Sequence, residues 1–261
     1  MDTIDPTPER ARQERSRLGR ALVASALFVA ALAWIHMMQL WWGRFDALVL
    51  RPGEPAGALG ILTAPLLHGS VEHLAANAGA ILVLGTLALS VYPRASLRAL
   101  PLMWLGSGTL VWFIGSPPGH IGASGLTHGL MFLIFLLGIL RRDRPAIAAG
   151  MIAFFLYGGM VMTILPREPG VSWEYHLGGA LAGVLAAVLW RRLDPDPPRK
   201  RYSWEDEEED EAAAGPPSEA SQFEPPRPEQ VPVLWNRPPP QDERGRVLDF
   251  RPPDRDREPR D

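Results

Sequence analysis

The chain has 261 residues, 47% of them hydrophobic, with 26 basic side chains against 29 acidic ones and no cysteine. The missing thiol excludes disulfides, a cysteine nucleophile and any thiolate metal site, and with no basic face or reading motif beside a net charge of −3 no nucleic-acid partner is expected. A mean hydropathy of zero averages two unlike halves: apolar runs follow one another up to Arg192, whereas residues 194–261 hold more than half of the 27 prolines and most of the acids.

A helix needs about 18 to 20 consecutive apolar residues to cross a hydrocarbon core about 30 Å thick. Six runs qualify in chain order, 21–41, 73–92, 97–114, 123–140, 146–165 and 176–190, the last with an apolar pattern reaching back toward Val171. The expected fold is therefore all-α, a polytopic membrane protein with a compact bundle of six transmembrane helices. Its expected parts are a short N-terminal segment (1–20), the membrane domain (21–193) and a disordered tail (194–261). The first run is too long for a signal-peptide core and ends in Trp41-Trp42, an interfacial pair, so it reads as a retained span.

Arginine placement sets the expected orientation, because short cytoplasmic loops collect positive charge. Arg10, Arg12, Arg15, Arg17 and Arg20 precede the first run, and Arg94 and Arg98 separate the second from the third. Arg141, Arg142 and Arg144 lie between the fourth and fifth, and Arg191 and Arg192 follow the sixth. Both termini are expected in the cytoplasm. The six spans and the arginine-rich composition suggest a bacterial inner membrane.

With this topology the second, fourth and sixth spans all run inward from the external face. His73, Ser124 and His176 each fall at or just after the start of one of them. At about 1.5 Å of rise per residue the three lie at nearly one depth. Ionisable groups in a span are costly and face a cavity or a partner, so their shared depth marks a candidate site. Ser124 sits in Gly122-Ala123-Ser124-Gly125, where small neighbours permit close approach and a helix start offers free N–H donors. Such a motif alone serves helix packing as readily as chemistry. His176 opens a segment in which Gly179 and Gly183 form a small-xxx-small face. If that face meets the fourth span, the imidazole can take the Ser124 proton as a general base. On the second span His73 and Asn77 share a helix face. They read either as interhelical polar contacts or as an oxyanion hole added to the Ser124 amide. His68 falls in the loop before this span, with a structural role expected. His36 and Gln39 are expected to make polar contacts near the end of the first span, and His120 to face solvent. No HExxH pattern or carboxylate at ligand spacing supports a metal, and no cofactor is expected. Glu174, two residues before His176, is a poor candidate for a third triad member.

Taken together, His68-Gly69, His73-xxx-Asn77, Gly122-Ala123-Ser124-Gly125 and His176-x-Gly178-Gly179-xxx-Gly183 resemble the rhomboid proteases, over roughly 21–192. The resemblance implies an intramembrane serine endopeptidase that cuts transmembrane protein substrates near the outer membrane face. It implies a Ser124–His176 dyad without an acid, with His73, Asn77 and the Ser124 amide as oxyanion donors. The chain departs from the pattern in two places. Bacterial relatives often carry an aromatic where His128 stands, beside the histidine base, and the Trp-Arg pair that commonly closes the first external loop is not evident in 43–72.

Two other classes remain open in the sequence: a non-proteolytic rhomboid-like protein that binds membrane helices, and a transporter. The serine and histidine argue against the former, and the lack of matching inverted halves against the latter. The tail carries an acidic run from Glu205 to Glu211 and proline clusters, with too little apolar surface to fold. Trp235 and Val247-Leu248-Asp249-Phe250 are apolar islands at which a cytoplasmic partner could dock, the plainer reading being a solvated extension. The other expected partners are transmembrane substrates and the lipid bilayer.

Overall fold

The structure, a computed structural model, describes residues 8–43, 45–167 and 170–194. Apart from its first residue, Asp194, the expected tail lies outside the described residues, as does the second unit into which the chain divides, Arg201–Asp261. Among the described residues eight α-helices follow one another: α1 (Pro8–Trp42), α2 (Gly60–Thr63), α3 (Val71–Ala80), α4 (Thr86–Val91), α5 (Pro93–Ile114), α6 (Ser124–Arg141), α7 (Arg144–Tyr157) and α8 (Trp173–Trp190). A π-helical turn, Ile81–Gly85, joins α3 to α4 as one span, and a 3₁₀ segment, Gly158–Ile164, extends α7. Among the described residues there is no strand, only a single antiparallel bridge between Leu50 and His120.

Among the described residues five helices are long and apolar enough to cross a membrane: Ala11–Trp42, Val71–Val91, Pro93–Ile114, Ser124–Arg141 and Arg144–Ile164. The sixth expected span is present as α8, with 18 residues. It stays outside that group because its first turn is Trp173-Glu174-Tyr175-His176. The protein is thus an all-α, polytopic membrane protein. Residues 8–20 of the arginine-rich N-terminal segment continue into the first span as part of α1, and the described residues between α1 and α3 form short helical turns.

The bundle is arranged around α6, which packs on α8, α7 and α5. Lipid gives helices no hydrophobic reason to associate, so close backbone approach between small residues has to supply the packing. The α6–α8 seam is made this way: a methyl added at Gly179 or Gly183 would overlap the carbonyl of Gly125 or Gly129. Gly138 and Gly150 do the same for α6 and α7. Leu130, Leu133, Ile134 and Leu137 of α6 fill the interior against Met103, Leu84, Ala149 and Ala186. Large apolar side chains such as Leu27, Trp34, Trp41, Trp42 and Phe155 cover the outside.

At the arginine-rich end the chain ties itself together. The Asp194 carboxylate accepts the Arg94 and Ala95 amides at 2.9 Å each, satisfying two free N–H groups in the first turn of α5. Arg141 donates to the Asp194 carbonyl at 2.8 Å and to Asp143 at 3.0 Å, and Asp143 in turn caps α7 through the Ala146 amide.

Candidate active site

The segment before Ser124 is held by the loop 43–72. His120 and Leu50 exchange backbone hydrogen bonds of 2.9 and 3.2 Å, and the Gly122 amide donates to the Ala64 carbonyl at 2.8 Å. Gly122 has φ of +114°, a conformation that side chains rarely adopt, and a Cβ there would run into the His73 ring and approach the Asn77 amide. Glycine is therefore what lets α3 and the serine turn touch. Directly afterwards α6 begins at Ser124, whose amide sits in the helix's first turn.

On α3, Ser70 caps the helix by accepting from the His73 amide at 3.1 Å. Asn77 follows one turn later, its amide donating to the His73 carbonyl at 3.2 Å. His176 lies in the first turn of α8, whose start is capped by Ser172. The Gly125–Gly179 contact brings that turn beside the start of α6. Ser124, His176, His73, Asn77, His128 and Thr163 line one cavity of about 840 Å³.

Five predicted polar positions, Ser124, His176, His73, Asn77 and His128, thus fall into one region, joined by Thr163 and with distinct partners. The His128 and His176 rings stack, centroids 3.9 Å apart and 12° from parallel. His128 Nδ1 lies 2.7 Å from the Ser124 carbonyl and its Nε2 lies 2.8 Å from the Thr163 hydroxyl. His176 Nδ1 donates to the Thr163 carbonyl at 3.0 Å. The Ser124 hydroxyl is not hydrogen-bonded to His176 in this structure; such bonds are often long before a substrate is bound. Glu174 is turned away, its carboxylate accepting from the Ser116 amide and hydroxyl at 3.0 and 2.8 Å.

His68 lines a neighbouring cavity of about 540 Å³ with His36 and Gln39. The Gln39 side chain grips the His68 peptide from both sides, at 3.0 and 3.4 Å. Neither ring nitrogen of His36 has a hydrogen-bond partner. The His68 ring meets His73 edge-on, 5.1 Å between centroids. Burial, then the nearby His73 and His36 rings, push His68 down to about 4. The expectation for His120 is corrected: it is buried rather than solvent-facing. Its Nε2 donates to the Ser116 carbonyl at 2.8 Å and its Nδ1 faces the Ser172 hydroxyl, so it bolts the serine loop to the start of α8. Burial lowers its pKa. Among the described residues no group of three or more His, Cys, Asp or Glu side chains is disposed to hold a metal.

Sequence reading missed Thr163 and Ser172. Each is an ordinary hydroxyl whose importance depends on where a loop or a 3₁₀ turn carries it. The nearest signal was their position beside the apolar run ending at 165 and the start of the sixth span.

The fold and site define a membrane-embedded helical bundle with a polar, histidine-rich cavity at one end. The chain matches the Rhomboid domain family over residues 55–193. It is 36% identical over 194 residues to uncharacterized proteins of Mycobacterium tuberculosis and Mycobacterium bovis, covering 70% of this chain and 80% of each relative. An uncharacterized protein of Mycobacterium leprae is 37% identical over 195 residues, covering 70% and 76%. The chain belongs to the rhomboid family, a family of the intramembrane-protease type.

Proposed function

We propose that this protein is an intramembrane serine endopeptidase that hydrolyses peptide bonds of transmembrane protein substrates near the outer membrane face. The observation that carries the reading is that Ser124, His176, His73 and Asn77, drawn from three helices, line a single cavity. In the proposed reaction the Ser124 hydroxyl attacks the scissile carbonyl while His176 Nε2 takes its proton. The tetrahedral oxyanion receives hydrogen bonds from the Ser124 amide, the His73 ring and the Asn77 side chain, whose second N–H remains available beside the His73 carbonyl. His176 then protonates the leaving amine, and a water activated by the same base hydrolyses the acyl-enzyme. His128 stacks beneath the base in place of the family's aromatic. Arginine placement supports cytoplasmic termini and a cavity that opens toward the outer face, with a bacterial inner membrane as the setting.

The test reconstitutes the full chain in vesicles with a fluorogenic transmembrane substrate and compares it with Ser124→Ala and His176→Ala. Cleavage by the unaltered chain and its loss in both variants is the expected result. Cleavage surviving in Ser124→Ala sinks the assignment. Failure of every form across a substrate panel favours a rhomboid-like protein that binds membrane helices without cutting them.

A further inference from the structure

We infer that Thr163 is a positioning residue for the histidine base, its main-chain carbonyl setting the tautomer of His176 and its hydroxyl holding the His128 ring against that base. The inference rests on the proposed Ser124–His176 dyad and concerns what takes the place of the absent acid.

A carbonyl can only accept, so the 3.0 Å contact between His176 Nδ1 and the Thr163 carbonyl requires the proton to be on Nδ1. In the neutral ring this leaves the lone pair on Nε2, the tautomer a serine base needs. A buried carboxylate fixes it in the familiar triad. Here Glu174 is committed to Ser116 and cannot do so. The same logic applied to His128 fixes a second proton. Its Nδ1 lies 2.7 Å from the Ser124 carbonyl and must donate, so its Nε2 is an acceptor when the ring is neutral. The group 2.8 Å from that nitrogen is the Thr163 hydroxyl. The Thr163 hydroxyl has one proton and two claimants, His128 Nε2 and the Met160 carbonyl at 2.9 Å. Only the first satisfies His128, which is 3% exposed and whose Nε2 has no other hydrogen-bond donor beside it. One residue therefore orients both rings of the stack.

Thr163 belongs to the 3₁₀ segment Gly158–Ile164 that ends the fifth span. Just before that segment Tyr157 donates to the Gly79 carbonyl at 3.1 Å, so the same stretch clasps α3 across the cavity. Displacing it would strip His176 of its Nδ1 acceptor and His128 of its donor together. The position of this span's end and the competence of the base are thereby coupled.

The experiment measures kcat and KM of the reconstituted full chain for Thr163→Val, Thr163→Ser, His128→Phe and the double variant Thr163→Val/His128→Phe. Valine keeps the shape and the carbonyl but leaves His128 Nε2 unpaired, so kcat should fall about tenfold with KM little changed. Serine should restore the rate to within about threefold. Phenylalanine at 128 stacks without needing a donor, so the double variant should regain most of what Thr163→Val loses. Wild-type kcat in Thr163→Val overturns the inference, as does a double variant whose loss is the product of the two single losses. If Thr163→Val does not fold, Thr163→Ala with and without His128→Phe reads the same coupling. Ser124→Ala in the same assay separates the two levels: cleavage there discards the dyad itself, whereas its abolition beside an unaffected Thr163→Val discards only the role of Thr163.

Discussion

Replacing Gly179 with alanine tests how closely the dyad depends on the α6–α8 seam. The added methyl would overlap the Gly125 carbonyl and sit 2.6 Å from its carbon and 2.9 Å from its Cα. All three atoms are backbone, so no side chain can swing aside, and the helices must part by on the order of 1 Å. Overpacking of this kind costs about 1–3 kcal/mol, against which alanine's better helix propensity returns about 1 kcal/mol. Gly179 lies one turn after His176, and Gly125 is the neighbour of Ser124, so separation at this point moves the two reacting groups apart. A misplacement of about 1 Å costs roughly 100-fold in rate. The expected outcome is a modest loss of stability, read by thermal unfolding in micelles, and a much larger loss of kcat, read in vesicles. Gly19→Ala is the control, since a Cβ at that position meets nothing within 4 Å. Wild-type stability and turnover in Gly179→Ala, or equal losses in the control, would refute the reasoning.

Two further outcomes follow from the same geometry. Asn77→Ala should lower kcat roughly 10- to 1000-fold while substrate binding persists, the range for loss of an oxyanion donor; unchanged turnover removes Asn77 from the site. His68 is held at about 4 against an ordinary 6.5, so between those values the unfolded chain binds a proton that the folded chain refuses. Stability is complete above pH 6.5 and falls as the pH drops toward 4, by about 3 kcal/mol at 1.36 kcal/mol per unit. Unfolding measured from pH 7.5 to 4.5 should show that slope in the unaltered chain and a flatter one in His68→Phe; parallel curves would count against it.

The membrane spans were legible because hydrocarbon imposes a length and a polarity that few other constraints share, and the start of α6 at Ser124 followed from its small-residue turn. Gly179 and Gly183 were legible for the same reason: in lipid, closely packed backbones need residues without side chains. What stayed hidden depends on long-range placement. Nothing in the pattern distinguished Thr163 from any other threonine near the end of a span, because its role comes from a 3₁₀ segment that aims a carbonyl at His176 and a hydroxyl at His128. His120, expected to face solvent, is buried instead because its backbone bridge to Leu50 and its ring contacts to Ser116 and Ser172 draw it inward. The π-turn at Ile81–Gly85 left no mark on an apolar run that reads equally well as an unbroken helix.

The clamp at Asp194 bears on the order in which the molecule is completed. The first turn of α5 leaves the ribosome a hundred residues ahead of the carboxylate that receives its amides. Until residue 194 is made, those two N–H groups are without their acceptor and Arg141 is without the Asp194 carbonyl. A nascent chain halted before α8 would already carry Ser124, His73 and Asn77 but neither the proposed base nor the clamp. Both arrive last within the domain, eighteen residues apart, the base in the first turn of α8 and the clamp just past its other end. Under the proposed function, cutting power is thereby withheld from every unfinished copy of the domain.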